Sequence, residues 1–217
     1  MQRITLLVIT ALFFLNLQGQ KIQFGIFADP VISWMSPDVK EVTNEGVRAG
    51  YNLGLSFNKF FSENYAFLSG ISIHTTGGKL SYDSDVPFQI HESYDTLQTG
   101  SIMKYMMQYV EVPVGLKFTS NEIGYMTFFA NLGLTGDVKI KARGSSSDNL
   151  IDNENIEEEI KMFNMTYFFG GGLEYSLGGN TALQFGVNYA NGILDVTRRN
   201  QDKVILNHLA IRVGVIF

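Results

Sequence analysis

The 217-residue chain contains no cysteine, only four prolines and one tryptophan. The absence of cysteine excludes a disulfide scaffold, a thiolate metal site, a cysteine nucleophile and a lipid anchor attached to cysteine. Basic residues are also few, because 16 Lys and Arg stand against 21 Asp and Glu, and this balance argues against nucleic acid as a partner. Glycine, phenylalanine and tyrosine are abundant instead (22, 17 and 10 residues), which favours a β-rich protein.

The N-terminus has the order of segments typical of a secretory signal peptide. Arg3 precedes an apolar run from Ile4 to Leu17, and Gly19 is a small residue where signal peptidase requires one. We therefore expect residues 1–19 to be a cleaved signal peptide and residues 20–217 to form one domain. An uncleaved membrane anchor is the alternative, but about 14 apolar residues are short for a hydrocarbon core of about 30 Å.

The remainder of the chain alternates apolar and polar residues. Odd-numbered positions from Val47 to Phe57 are apolar, and even-numbered positions from Arg48 to Asn58 are polar or small. A period of two predicts a β-strand with one apolar face, and the same pattern recurs along the chain. The predicted strands cover residues 22–34, 47–58, 65–82, 102–118, 123–138, 162–175, 181–195 and 204–217.

Short and long connections alternate between these strands. The short ones are 59–64, 119–122 and 176–180, and the long ones are 35–46, 83–101, 139–161 and 196–203. This alternation is typical of outer-membrane barrels, which have short periplasmic turns and long external loops. The sequence therefore predicts an all-β fold, an eight-stranded antiparallel transmembrane β-barrel of OmpA/OmpX-like size, with both termini in the periplasm.

A soluble β-sandwich or a lipocalin-like barrel is the alternative fold. The predicted strands are much longer than the ~5–6 residues of soluble sheets and suit a tilted membrane crossing. Their polar faces also carry charged residues, which are poor core residues for a small soluble domain. Both observations favour the membrane barrel.

Five charged residues on the polar faces are the candidate site, a charge network in the lumen: Arg48, Glu111, Lys117, Glu174 and Arg212. An unpaired buried charge costs several kcal/mol, so these residues should pair. Depth counted from the strand ends predicts two pairs, Glu111 with Arg212 and Lys117 with Glu174, and places Arg48 nearer the external mouth. Phe217 closes the last amphipathic strand and is the expected signal for the outer-membrane assembly machinery.

Four stretches resemble the PorT-like outer-membrane β-barrel family of Bacteroidota: 109–118, 121–125, 170–180 and 209–217. The resemblance extends over residues 20–217 and implies an outer-membrane barrel. One branch of that family is implicated in type IX secretion, which makes an accessory role in protein secretion a further expectation from the resemblance.

Catalysis and metal binding have little support in the sequence. His74, His91 and His208 are its three histidines, and no Gly-x-Ser-x-Gly nucleophile motif is present. Two acidic loops are better explained as solvated loops than as metal sites, and the second lacks the spacing of an EF-hand. Their acidic residues and the histidine are Asp83, Asp85, His91, Glu92 and Asp95 in one loop, and Asp148, Asp152, Glu154, Glu157, Glu158 and Glu159 in the other. Loose binding of divalent cations by that second loop near the lipopolysaccharide surface is the alternative. We therefore expect no enzyme activity, no cofactor and no metal.

The expected role is that of a non-enzymatic structural or interaction protein in the cell outer membrane. Its expected partners are outer-membrane lipid and lipopolysaccharide, the assembly machinery, and envelope or secretion proteins. A small-solute channel is the alternative function, although side chains fill the lumen of an eight-stranded barrel.

Overall fold

The computed structural model describes residues 21–90, 93–148, 151–199 and 203–217. In these ranges eight long strands cross the molecule: β1 (Ile22–Pro37), β2 (Arg48–Ser62), β3 (Tyr65–Tyr82), β4 (Ile102–Thr119), β5 (Met126–Ser146), β6 (Phe163–Gly178), β7 (Thr181–Gly192) and β8 (Val204–Ile216). No helix in the same ranges is long and apolar enough to cross a membrane. The predicted signal peptide, residues 1–19, lies outside the described residues.

The eight strands close into a ring in which each strand is antiparallel to both neighbours. Consecutive strands pair with each other, and β8 pairs with β1 to complete the ring, with Gly25 opposite Ile216. Closure removes every free strand edge, so the backbone of the spanning region is hydrogen-bonded within the protein. The predicted all-β, eight-stranded antiparallel barrel is confirmed.

Side chains alternate between the outside and the inside of the barrel as the sequence pattern predicted. On β2, Leu53 and Leu55 are about half exposed on the outer surface, while Asn52 and Asn58 are buried inside. Similar exposed apolar residues cover the other strands, including Val114 on β4, Leu132 on β5 and Phe169 on β6. In a membrane this apolar outer surface contacts lipid.

The external ends of several strands extend further than the sequence predicted. β5 continues to Ser146 rather than residue 138, because its pairing with β4 resumes beyond an irregularity at Gln108 and Tyr109. Above this point the inward residues Met103 and Met107 are apolar, while the outward Lys141 is exposed. The pattern inverts there because the outer surface faces water instead of lipid.

Two other strand ends are shorter than predicted, for local reasons. β5 begins at Met126 rather than residue 123, since Gly124 adopts φ 67° in a tight turn that Ile123 and Met126 bridge. β7 ends at Gly192 rather than residue 195. Asp195 turns the chain there, because its carboxylate accepts hydrogen bonds from the backbone N–H groups of Thr197 and Val204.

The external end of the barrel is filled by an apolar core. Four short strands contribute structure beyond the eight long ones: Val42–Gly46 pairs with β3, Glu154–Asn155 pairs with β5, and Val86–Ile90 pairs with Ser93–Leu97 as a separate hairpin. This external core contains the buried residues Met35, Val42, Leu80, Tyr82, Leu97, Met103, Tyr105, Met107, Tyr109, Ala142, Ile151, Ile156, Ile160, Val196, Val204 and Leu206. The alternation pattern does not predict this core, because many of its residues lie in loops outside the predicted strands.

Candidate functional site

The periplasmic half of the interior contains an ion pair between strands that are not neighbours. Lys117 on β4 places its Nζ 2.5 Å from Glu174 Oε1 on β6, and both side chains are almost completely buried. Lys117 also donates to Gln23 Oε1 at 3.0 Å, and Gln184 donates to Glu174 Oε1 at 2.9 Å. The structure thus brings together the two residues that the depth count paired. We call these four residues the periplasmic layer.

The predicted pair of Glu111 with Arg212 is wrong. Arg212 Nε lies 2.9 Å from Asp29 Oδ2 instead, and the Arg212 guanidinium is 3.9 Å from the centroid of the Phe27 ring. The Nε–H is not aligned with Oδ2 for a hydrogen bond, so the contact is an electrostatic one. Arg212 contacts Asp29 rather than Glu111 because Asp29 lies on β1, the neighbour of β8, whereas Glu111 lies across the lumen on β4.

Glu111 is instead at the centre of a separate polar cluster in the middle of the barrel. It is hydrogen-bonded to His74 Nδ1, and it accepts hydrogen bonds from Asn52 Nδ2 at 2.7 Å and Ser72 Oγ at 3.3 Å. The His74 ring is 4.5 Å from the ring of His208. We call these five residues the central cluster, and all of them are buried.

A second carboxylate lies directly beside the central cluster. Asp137 on β5 is the cross-strand neighbour of Glu111 on β4, and its Oδ2 accepts a hydrogen bond from Asn164 at 2.8 Å. The sequence analysis missed Asp29, Asn52 and Asp137 as members of the interior network. All three lie at inward-facing positions of the alternating strands, and this position is the signal that would have identified them.

A small cavity lies among these residues. It has a volume of about 70 Å³, and its lining includes Asp29, Ser72, Glu111, His208 and Arg212. This volume is enough for water molecules, which need roughly 10–15 Å³ each by the same measure. The external core lies beyond the cavity toward the long loops, and the periplasmic layer lies toward the short turns. The interior is therefore occupied by side chains at both levels.

Arg48 does not pair with the interior charges. It lies at the external end of β2, where it lines a groove in the barrel wall together with Lys141 and Arg143. Arg48 forms no salt bridge with the other four predicted charges in the described residues, so its place in the lumen network stays a prediction. The pairing of β2 with β3 ends at Tyr51 and Thr75, and Arg48 lies beyond that point, opposite the buried Ser33 on β1.

The acidic loops use several carboxylates for internal bonds. Asp85 accepts bonds from the Thr99 hydroxyl and backbone N–H, and these hold the pKa of Asp85 below its ordinary value. Glu158 and Glu159 pair with Arg198 and Arg199 at 3.0 and 2.9 Å. His91 and Glu92 lie outside the described residues, as does the side chain of Asp95. Within the described residues no group of three or more His, Asp or Glu is arranged to hold a metal ion.

Asp195 anchors the last external loop. Burial acts to raise the pKa of Asp195, but bonds from Lys161, Val204 and Thr197 outweigh it, so the net pKa is lowered. The Lys161 Nζ lies 2.6 Å from Asp195 Oδ2. The carboxylate therefore stays ionised at neutral pH and keeps the loop against the start of β8.

Phe217 completes the ring of strands at the periplasmic end. Its backbone N–H donates to the carbonyl of Phe24 at 2.8 Å, and the Phe24 N–H donates back to the Phe217 carbonyl at 2.9 Å. The two rings stack with centroids 6.5 Å apart, and half of the Phe217 side chain remains exposed. The last residue is thus bonded to the first strand and still presents an aromatic ring on the outer surface.

Comparisons with known proteins agree with this architecture. The chain resembles the crystal structure of Neisserial surface protein A (NspA) at 12% identity and a TM-score of 0.52, over 92% of this chain and 98% of that one. It also resembles the outer membrane protein OprG from Pseudomonas aeruginosa at 12% identity and a TM-score of 0.48, over 91% and 94% of the two chains. No protein of curated function matches the sequence.

The family comparison matches residues 15–198 to the outer membrane protein beta-barrel domain. That match covers most of the chain, and it agrees with the closed ring of eight strands and with the apolar outer surface. The chain therefore belongs to the outer membrane protein beta-barrel domain family and is a β-barrel of the cell outer membrane.

Proposed function

We propose that this protein is a non-enzymatic outer-membrane barrel that acts as a structural or interaction protein through its external face. The observation that carries the proposal is the filling of the interior at two separate levels. The external core is apolar and the periplasmic layer contains a buried ion pair, so side chains of the described residues occupy the lumen at both levels. A molecule that does not conduct through its lumen acts through its surfaces.

The external end supports an interaction role because it is packed rather than loose. Three of its loops contain short strands that pair with β3, with β5 or with each other. Salt bridges from Arg198 and Arg199 also connect the last two external loops. A pre-formed external surface can bind a partner with little loss of conformational entropy.

The central cluster does not support hydrolytic chemistry. In a serine triad the base hydrogen-bonds the nucleophile and the acid orients the base. Here Ser72 and His74 both contact Glu111 instead, and all three side chains are buried inside the barrel. We therefore assign these residues to the stability of the interior.

The partners in this proposal are outer-membrane lipid and lipopolysaccharide, the assembly machinery that inserts the barrel, and other envelope proteins. The described geometry adds no support for the PorT-like branch or for a type IX secretion role, so the proposal includes neither. The small-solute channel is the competing function that the first experiment below tests.

The first experiment measures conductance of the purified full-length protein in planar lipid bilayers. We expect no steady conductance, because the external core and the periplasmic layer occupy the lumen. A 16-stranded porin provides the positive control, since barrels of that size have an aqueous lumen. A steady open level that scales with the amount of folded protein would establish a channel and contradict the sealed barrel.

The second experiment tests the interaction role by photo-crosslinking in the native envelope. A photoreactive residue replaces Thr43, which is exposed at the external end, or Leu132, which is exposed on the lipid-facing wall. We expect a discrete protein adduct at position 43 and only lipid adducts at position 132. Protein adducts confined to position 132, or none at position 43, would contradict an external partner.

A further inference from the structure

The outer wall of the barrel carries a groove at its external end. It has a volume of about 350 Å³ and is formed by the external parts of β2, β3, β4 and β5. Arg48, Lys141 and Arg143 line this groove, and none of its ten lining residues is Asp or Glu. We call it the basic groove, since it brings three cations together with no carboxylate among them.

Two polar atoms of the basic groove are buried without a hydrogen-bond partner, Arg48 Nε and Thr75 Oγ1. Buried polar groups in native proteins are nearly always hydrogen-bonded, so unsatisfied ones indicate a missing partner. The Arg48 side chain lies across Gly77, where an added Cβ would come within 2.9 Å of Arg48 Cδ. Glycine at that position leaves room for the guanidinium to reach the groove.

The cations of the basic groove also lack ion-pair partners in the described part of the chain. Lys117, Lys161, Arg198, Arg199 and Arg212 all pair with carboxylates, whereas Arg48, Lys141 and Arg143 do not. Glu154 and Glu157 lie near Lys141 and Arg143 in a neighbouring groove, but they form no salt bridge with them. No carboxylate of the described residues therefore lies within salt-bridge distance of the three cations of the basic groove.

Cross-strand pairing locates the basic groove at the border of the lipid-facing surface. One row of paired residues on β3, β4 and β5 is apolar, and it consists of Ile73, Val110 and Val138. The next row toward the external end consists of Thr75, Gln108 and Lys141. The basic groove thus begins directly where the apolar band ends, at the level of lipid headgroups.

A pair of lysines lies just beyond the groove. Lys79 on β3 and Lys104 on β4 are directly opposite each other, and neither has a carboxylate partner among the described residues. Like charges opposite each other in a sheet repel. An anion bound nearby would relieve this repulsion as well as the charge of the groove.

We propose that the basic groove binds the phosphate of a phosphorylated glycolipid of the lipid A type in the outer leaflet. Arginine guanidinium groups bind phosphate through paired hydrogen bonds, and lysine adds a point charge. The acyl chains of the same lipid lie along the apolar band, where Tyr51 at the groove and Ile73 below it are exposed. This site rests on the lipopolysaccharide partner of the proposed function but does not depend on a filled lumen, so the conductance and lipid-binding results can fail independently.

The test measures lipid binding by the full-length protein in phosphatidylcholine nanodiscs. The probes are diphosphorylated lipid A, the same lipid without phosphates, and inorganic phosphate. We expect the phosphorylated lipid to bind at least about tenfold more tightly than the dephosphorylated lipid, because charge-assisted hydrogen bonds supply the difference. We expect Lys141→Gln/Arg143→Gln and Arg48→Gln to remove that preference.

The matched control is Lys40→Gln/Lys203→Gln, which removes two exposed external charges that do not line the groove. It should keep the preference for the phosphorylated lipid within about twofold. A shift in gel mobility between unheated and boiled samples verifies that each variant is folded. Thr75→Val, which preserves side-chain size, provides a second test should the double variant fail to fold, and it should weaken binding of the phosphorylated lipid.

Three outcomes would overturn the proposal. The first is equal binding of the two lipids by the wild-type protein. The second is unchanged binding by a folded groove variant. The third is inorganic phosphate binding as tightly as the phosphorylated lipid, which would show an anion site without a role for the membrane.

Discussion

Four charged side chains inside the barrel form two ion pairs. Lys117 and Glu174 contact each other although β5 separates their strands, and Arg212 contacts Asp29 on the neighbouring strand. A narrow lumen makes the first contact possible, because side chains from strands two apart can meet across its interior. Removing one partner would leave the other charge buried and unpaired.

The Lys117–Glu174 pair allows a direct measurement of this effect. We expect Lys117→Met to lower the free energy of unfolding by about 3–5 kcal/mol, because Glu174 is left unpaired. The double variant Lys117→Met/Glu174→Gln should cost less than the sum of the two single variants. Guanidinium unfolding of all four proteins in detergent completes the cycle, and additive effects would contradict the buried pair.

The more exposed Lys161–Asp195 pair is the matched control. Its lysine side chain is 43% exposed, compared with 1% for Lys117. We expect Lys161→Met to cost only about 0–1 kcal/mol, since solvent screens exposed pairs.

The two faces of β2 provide a second prediction at the residue scale. Leu53 is exposed to lipid, while Asn52 is buried beside the cavity and donates to Glu111. We expect Leu53→Arg to lower the free energy of unfolding by about 2–4 kcal/mol, as charges on the lipid face do. Asn52→Arg should cost less, because its new charge faces Glu111. A larger cost for Asn52→Arg in lipid vesicles would contradict the assigned faces.

The inward or outward direction of each side chain could be predicted from the sequence, but its ion-pair partner could not. Alternation alone placed Glu111, Lys117, Glu174 and Arg212 on inward faces, because side-chain direction in a strand has a period of two. The partner of Arg212 depends instead on the register between β8 and β1, which are far apart in the chain. Asp29 was also harder to identify, because Phe27, at a neighbouring inward position, is apolar and obscures the polar inner face of β1.

At the scale of elements, β8 closes the barrel, and its end at Phe217 is the predicted assembly signal. β8 pairs with both β7 and β1, so the ring cannot close without it. Phe217 is held to Phe24 by two backbone hydrogen bonds, and its ring remains half exposed. An exposed terminal aromatic residue on the closing strand is available to the assembly machinery before insertion.

Deletion of Phe217 should reduce insertion into the outer membrane while export to the periplasm continues. The expected reason is loss of the terminal ring and of the two backbone bonds to Phe24. Membrane fractionation measures the inserted and periplasmic pools, and Phe217→Tyr is the control that keeps an aromatic ring. Wild-type outer-membrane levels of the truncated protein would contradict the assigned signal.

The existence of the strands was easier to predict than their external ends. The alternation inside the membrane is strong because lipid demands apolar side chains on one face. Beyond the membrane the demand reverses, so on β4 Met103 and Tyr105 point inward and Lys104 points outward. If the apolar face is assumed to point outward along the whole strand, the predicted strand ends too early. The inward apolar residues of the external core are then not recognised.

For the whole molecule, the closed ring and the filled interior have different origins. Strand number and closure follow from local alternation and connection lengths, which the sequence displays directly. The external core forms from residues on separate loops, such as Val42, Leu97 and Ile156, whose contacts depend on the folded barrel. The filling of the interior is thus a property of the tertiary structure.

Thiol labelling tests the sealed interior most directly, because the chain has no cysteine of its own. Ser72→Cys places the only thiol beside the internal cavity, and Thr43→Cys places it on the exposed external surface. A membrane-impermeant maleimide is added to the folded proteins in vesicles open on both sides. We predict rapid labelling at position 43 and none at position 72 until the protein is unfolded. Equal labelling rates at the two positions in the folded protein would contradict the sealed barrel.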